Sequence, residues 1–212
     1  MPTICALPDA EPVPHVPLAA PFDDPGWMFE PLYDGFRSLL YASADGCELR
    51  ARQDPHFEGF ADLCDRIMSV LGGRESILDG RIVSLDRHGK PIFRELLRAR
   101  GYLAFAASDL LWLDGHDLRP MPLAERKRRL GKLLPSDTGP LYKVFTLEEH
   151  GRALYQAARR MDLAGIAAKR RDDPYARQTV WYRVSNPAHR QGESRVGMTS
   201  TPARARREVI ES

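Results

Sequence analysis

The sequence predicts a mixed α+β fold, with mainly antiparallel sheets flanked by helices. Three observations lead there. Short apolar runs are broken by tight-turn dipeptides at Asp34-Gly35, Asp45-Gly46 and Asp114-Gly115. Apolar residues recur at helical spacing in Phe57, Phe60, Cys64, Ile67 and Leu71 and again across Pro122 to Leu134. A chain of 212 residues with 43% hydrophobic residues can bury one sizeable core.

The elements follow in order. Residues 1–25, rich in Pro and Ala without periodicity, predict an extended lead-in that lies on the surface or is partly disordered, and carry no chemistry of their own. Trp27 to Glu30 reads as a strand, Asp34-Gly35 as a tight turn and Arg37 to Tyr41 as the next strand; the plainest form is a hairpin whose Gly35 supplies a positive φ. Ser38 to Ala42 and Glu48 to Arg52 pair through Asp45-Gly46, and Asp54-Pro55 caps a helix over Phe57 to Leu71 that stops at Gly72-Gly73. Ile77 to Leu85 and Pro91 to Phe93 form a hairpin, followed by a short helix over Arg94 to Arg100. Tyr102 to Leu113 reads as a buried central strand, Pro122 to Leu134 as a basic amphipathic helix and Leu141 to Phe145 as a short strand. Thr146-Leu-Glu-Glu149 has the pattern of a capping box, so a helix is expected from there to about Met161. Ile166 to Lys169 and Thr179 to Val184 are the last strands. The expected division is a lead-in over 1–25, one domain over 26–185 and a polar, disordered tail over 186–212.

Composition narrows the function. A net charge of +2 does not announce a nucleic-acid binder, so any basic surface is local. Cys5, Cys47 and Cys64 have no ligand spacing, which points to a reducing compartment without disulfide or zinc. Neither a signal peptide nor a membrane span is present in the pattern, and a cytoplasmic location is expected. His15, His56, His88, His116, His150 and His189 have no metal-ligand spacing, and those beside turns are expected at the surface. There is no phosphate-binding Gly-x-x-x-x-Gly-Lys-Ser/Thr loop and no Gly-x-Ser-x-Gly nucleophile turn.

Glu30-Pro-Leu-Tyr-Asp-Gly-Phe-Arg37 and five later segments, in order, resemble the motifs of the adenylation domain of bacterial ATP-dependent DNA ligases. The resemblance covers roughly residues 20–185 and implies the twisted-sheet nucleotidyltransferase fold shared by ligases and capping enzymes. The first stretch is similar to E-x-K-x-D-G-x-R, but Leu32 stands where the family has the lysine that attacks the α-phosphate of ATP. Leucine has no lone pair, and the first lysine in the chain is Lys90, so no shift in alignment supplies a nucleophile. Leu49-Arg-Ala-Arg52 falls on the ribose-contacting Ser-Arg pair. Leu78-Asp-Gly-Arg81 falls on Leu-Asp-Gly-Glu, with Arg81 replacing the glutamate. Phe105 to Gly115 falls on the Phe-Asp-Leu-Leu segment, with Ser108 replacing the adenine-stacking aromatic and Asp109 kept. Leu163 to Lys169 falls on Glu-Gly-Ile-Val-Ala-Lys, with Ala164 replacing the metal-binding glutamate and Lys169 kept. Trp181 to Ser185 falls on Trp-x-Lys-x-Lys, with Arg183 and Ser185 replacing the lysines.

These departures spare the glycines and remove the reactive groups. The resemblance therefore implies a degenerate ligase-like domain without self-adenylation, with no catalytic residue and with the family's metal positions taken by Arg81 and Ala164. ATP and magnesium enter through the resemblance alone; the residues themselves indicate no cofactor. DNA, a nucleotide or a protein partner in DNA repair are the implied partners, and no OB-fold domain is read after the last motif. Arg37, Arg52, Arg81, Lys169 and Arg183 are expected to converge as a nucleotide- or phosphate-binding cluster. The competing reading pairs these cations with Asp34, Asp79 and Asp109. Arg126-Lys-Arg-Arg129 reads either as a solvated helix face or as a nucleic-acid backbone contact. An active or partner-assisted ligase and a structural partner of a genuine ligase remain the alternative functions.

Overall fold

A computed structural model describes residues 7–50 and 60–189. The first sheet contains β1 (His15–Pro17), β2 (Asp24–Leu32), β9 (Leu147–Glu149), β10 (Gly165–Arg170) and β11 (Trp181–Ser185), in the order β1-β11-β10-β2-β9. The second contains β3 (Phe36–Ser43), β4 (Gly46–Arg50), β5 (Ser76–Leu85), β6 (Tyr102–Leu113) and β7 (His116–Asp117), in the order β4-β3-β5-β6-β7, with β8 (Leu141–Lys143) also joined to β6. Pairing is antiparallel apart from β1 with β11 and β6 with β8. The helices are α1 (Ala61–Leu71), α2 (Phe93–Leu96), α3 (Leu123–Leu133) and α4 (Gly151–Arg160).

Alternation explains how the sheets are covered. On β3, Leu40 and Ala42 face the cluster that holds Leu63 and Ile67 of α1 and Leu130 of α3. Leu39 and Tyr41, one residue out of phase, face Val13, Tyr175 and Trp181 across the space between the sheets. The strand is buried on both faces and so reads as a continuous apolar run. The first sheet is covered by α4, whose Leu154 and Ala158 pack with Phe29, Ile166 and Val184.

Three local expectations are corrected. Asp34-Gly35 does not close a hairpin: β2 and β3 lie in different sheets, and the chain crosses between them there. Gly35 does not take a positive φ. It is glycine because a Cβ would lie 2.3 Å from the Ile82 carbonyl oxygen. The capping box at Thr146 does not form, because Leu147–Glu149 is taken up as β9 on the edge of β2. Helix α4 instead starts at Gly151, and the Asp23 carboxylate accepts the Arg152 backbone N–H at 2.9 Å, so its N-terminal cap comes from another segment. The lead-in is not merely superficial: β1 extends the first sheet, and Val13 is buried. The expected helix start at Asp54-Pro55 and the residues beyond 189 lie outside the described residues.

Candidate functional site

The sheets meet where the motif strands cross. Leu32 at the end of β2 pairs with Gly165 at the start of β10, and the Ala164 N–H donates to the Leu32 carbonyl at 3.2 Å. Leu32 and Ala164 are thus backbone neighbours. Arg81 on β5 lies opposite Arg37 on β3. On β6 the register with β5 slips between Asp79 and Gly80, so that Ser108 is left over as an extra residue. The bulge turns its hydroxyl toward Lys169, whose Nζ donates to it at 3.1 Å.

Glu30 is the centre of the charge arrangement. Its carboxylate meets Lys169 at 2.7 Å through Oε2 and pairs with Lys127 through Oε1. Burial opposes its charge, but the fields and hydrogen bonds of the two ammonium groups prevail and hold the carboxyl below its ordinary range. One carboxylate cannot neutralise two cations. Burial pushes the Lys169 amine down, Glu30 offsets this only in part and Lys127 adds to it, leaving the pKa lowered to about 8. Lys169 Nζ also stands 3.7 Å from the centroid of the Trp181 ring.

This lowered value has a measurable consequence. Between about pH 8 and the ordinary lysine value the unfolded chain binds the Lys169 proton more tightly than the folded chain does, so stability rises with pH there. Urea denaturation from about pH 7.5 to about pH 10 should show this rise in the native chain, at most about 1.4 kcal/mol per pH unit, relative to Lys169→Met. Parallel curves for the two proteins would contradict the assignment.

Of the expected cluster, Arg37 forms a two-pronged pair with Asp79, at 3.2 Å from Nε and 2.6 Å from the terminal nitrogen, and Tyr175 donates to the same carboxylate at 2.9 Å. Arg81 donates to the Gly35 carbonyl at 3.1 Å. Arg183 is exposed on β11. Arg52 lies outside the described residues. The cations do gather around one point, but that point is His15, a residue with no sequence signal. Burial, then Arg37, Lys169, Arg81 and Arg183, drive its pKa far down, so the imidazole is neutral, and its Nε2 is buried without a hydrogen-bond partner among the described residues. The space left beside it is about 30 Å³, room for a water or two, whereas ordinary ligand pockets occupy roughly 300–1,000 Å³.

The basic run on α3 is neither a uniformly solvated face nor a backbone-binding stripe. Arg126 is fully buried against Asp109, with contacts of 2.9 and 2.8 Å. Lys127 points inward to Glu30, while Arg128 and Arg129 share Glu125. His189 is also not a tail residue. Its ring is buried, pairs through Nε2 with Asp34 and lies 3.1 Å from Asp162 through Nδ1. His88 and His116 are exposed.

Comparison with known proteins places this arrangement. Residues 10–184 match the family described as the ATP dependent DNA ligase domain. The chain belongs to the ATP-dependent DNA ligase family. The multifunctional non-homologous end joining protein LigD of Pseudomonas aeruginosa is 31% identical over 166 residues, which span 74% of this chain and 20% of that protein. The SPbeta prophage-derived DNA ligase-like protein LigB of Bacillus subtilis is 25% identical over 179 residues, 80% of this chain and 64% of the relative. The solved ligase domain of LigD from M. tuberculosis superposes with a TM-score of 0.68 at 27% identity, covering 82% of this chain and 59% of that one. The ligase-family chain therefore spans about a fifth of the length of the LigD relative it matches. The fold is that of ligase nucleotidyltransferase domains, with two packed, mainly antiparallel sheets.

Magnesium and ATP enter through the resemblance, and the two positions it assigns to metal-binding glutamates offer no carboxylate here. Hard cations take oxygen ligands, yet a guanidinium stands at Arg81 and a methyl group at Ala164. Among the described residues no three of His, Cys, Asp and Glu cluster as a metal site.

Proposed function

We propose that this ligase-family domain does not adenylate itself and acts in DNA repair through binding. The observation that carries the proposal is Leu32, buried in the wall of the cavity, with both neighbouring ammonium groups committed to Glu30. Nucleotidyl transfer requires an amine nucleophile and space for ATP; this site supports neither. Arg37, Arg81, Lys169 and Arg183, with Arg52, are proposed as the residual anion-contacting group, through an excess of positive charge that Glu30 and Asp79 do not cancel. The DNA-repair context rests on the relatives named for end joining.

A second reading is favoured by the same ion pairs: a structural partner of an active ligase would have a self-neutralised site, as Arg37 with Asp79 and Lys169 with Glu30 provide.

Restoring the nucleophile alone separates these ideas from a simple missing lysine. Leu32→Lys, incubated with α-labelled ATP and magnesium, should retain no covalent label, because Arg81 and Ala164 still deny the metal its carboxylates. Stoichiometric label on the introduced lysine would show that the rest of the site is competent.

A further inference from the structure

We infer that the domain carries a second ligand site one wall away, in a groove between α3 and the strand β8 with the segment that follows it, and that this groove takes a planar aromatic ring bearing a phosphate. The groove has a volume of about 440 Å³, within the ordinary range for small-molecule sites. Leu130 lies in its lining, Tyr33 and Tyr142 supply phenols, and Phe145 is 58% exposed. Lys143 adds a cation, and Lys127 lines the groove with its head group turned to Glu30.

Each part has a chemical consequence. An exposed Phe side chain beside a groove is a stacking surface, and every nucleobase has a face to lay on it. Burial raises the pKa of both phenols, with Glu30 adding to it at Tyr33 and Tyr33 at Tyr142; both stay protonated and can donate to ring nitrogens or carbonyls. The Lys143 ammonium is paired with Asp137, whose side chain is 76% exposed, so an arriving phosphate competes with a weakly held surface carboxylate. Lys127 joins the groove to the old site, since it lines the groove while its head group holds Glu30, which lines the small cavity. The wall between them is shared by Tyr33 and Val144.

Adenosine 5′-monophosphate, adenosine, inorganic phosphate and a 5′-phosphorylated single-stranded hexanucleotide, titrated calorimetrically into the full chain, test the assignment. The monophosphate should bind more tightly than adenosine or phosphate. Phe145→Ala should weaken it roughly tenfold, and Lys143→Ala should weaken it several-fold while sparing adenosine. Arg160→Ala, an exposed arginine on α4 remote from both cavities, should leave it unchanged. Phe145 is exposed and Lys143 partly so, and circular dichroism should show each variant folded. Tighter binding of the hexanucleotide assigns the site to a strand end, and equal or weaker binding assigns it to a free nucleotide. The proposal is overturned if folded native protein shows no saturable binding, if phosphate alone matches the monophosphate, or if Arg81→Ala, at the small cavity, abolishes binding that Phe145→Ala spares. The monophosphate carries no pyrophosphate leaving group, so the result is independent of whether Leu32 blocks adenylation.

Discussion

Arg126→Leu is expected to destabilise the domain by about 3–5 kcal/mol, the cost of leaving a buried charge without its partner. Both members of the pair are fully buried, and the other hydrogen bond that Asp109 Oδ1 accepts, from the Leu110 N–H at 2.8 Å, brings no second cation. Arg126 also donates to the Met121 carbonyl and, at 3.1 Å, to that of Asp173, so it ties β6 to the segments before α3 and after β10. For a domain of this size the loss corresponds to roughly 10 °C in melting temperature. The double variant Asp109→Leu with Arg126→Leu should recover part of that loss, since it leaves no orphaned charge. A single variant within about 1 kcal/mol of native would mean that the pair is solvated.

Gly165→Ala is the second large effect. Its φ of +138° is one that side chains rarely adopt, and an added Cβ would stand 2.0 Å from the Val184 carbonyl oxygen and 3.0 Å from the Ser185 Cα. Both obstacles are backbone and belong to β11, so the strand has to move away. Strain and overpacking together should cost about 3 kcal/mol or more. The same displacement would move Trp181 off Lys169, so tryptophan fluorescence should change along with the denaturation midpoint. An unchanged spectrum and midpoint would contradict the close approach.

Elements formed by local pattern were legible in the sequence. Strand β6 occupies Tyr102–Leu113 as its apolar run implied, and α3 occupies Leu123–Leu133, one residue inside each expected end. What was hidden depended on partners distant in the chain. Asp34-Gly35 has the same composition whether the chain turns back or crosses to another sheet, and only the Ile82 carbonyl above Gly35 reveals the reason for the glycine. The capping pattern at Thr146 was real as a pattern, but β2 claimed those residues first.

At the site, the charge state of the motif residues did not follow from their identity. Arg37 and Lys169 each acquired a carboxylate partner, and Arg126 looked like surface charge until Asp109 buried it. His15 could not be found by motif at all: it reaches the site because β1 pairs in parallel with β11. Lys127 had no signal of its own within a run that read as a helix face, and nothing local specified Glu30 as its partner.

Loss of self-adenylation is the central claim, and intact mass of the native, folded chain after incubation with ATP and magnesium tests it most directly. The unmodified mass alone is expected. A species heavier by one adenylate would contradict the claim, and mapping that adduct would name the nucleophile that Leu32 is not.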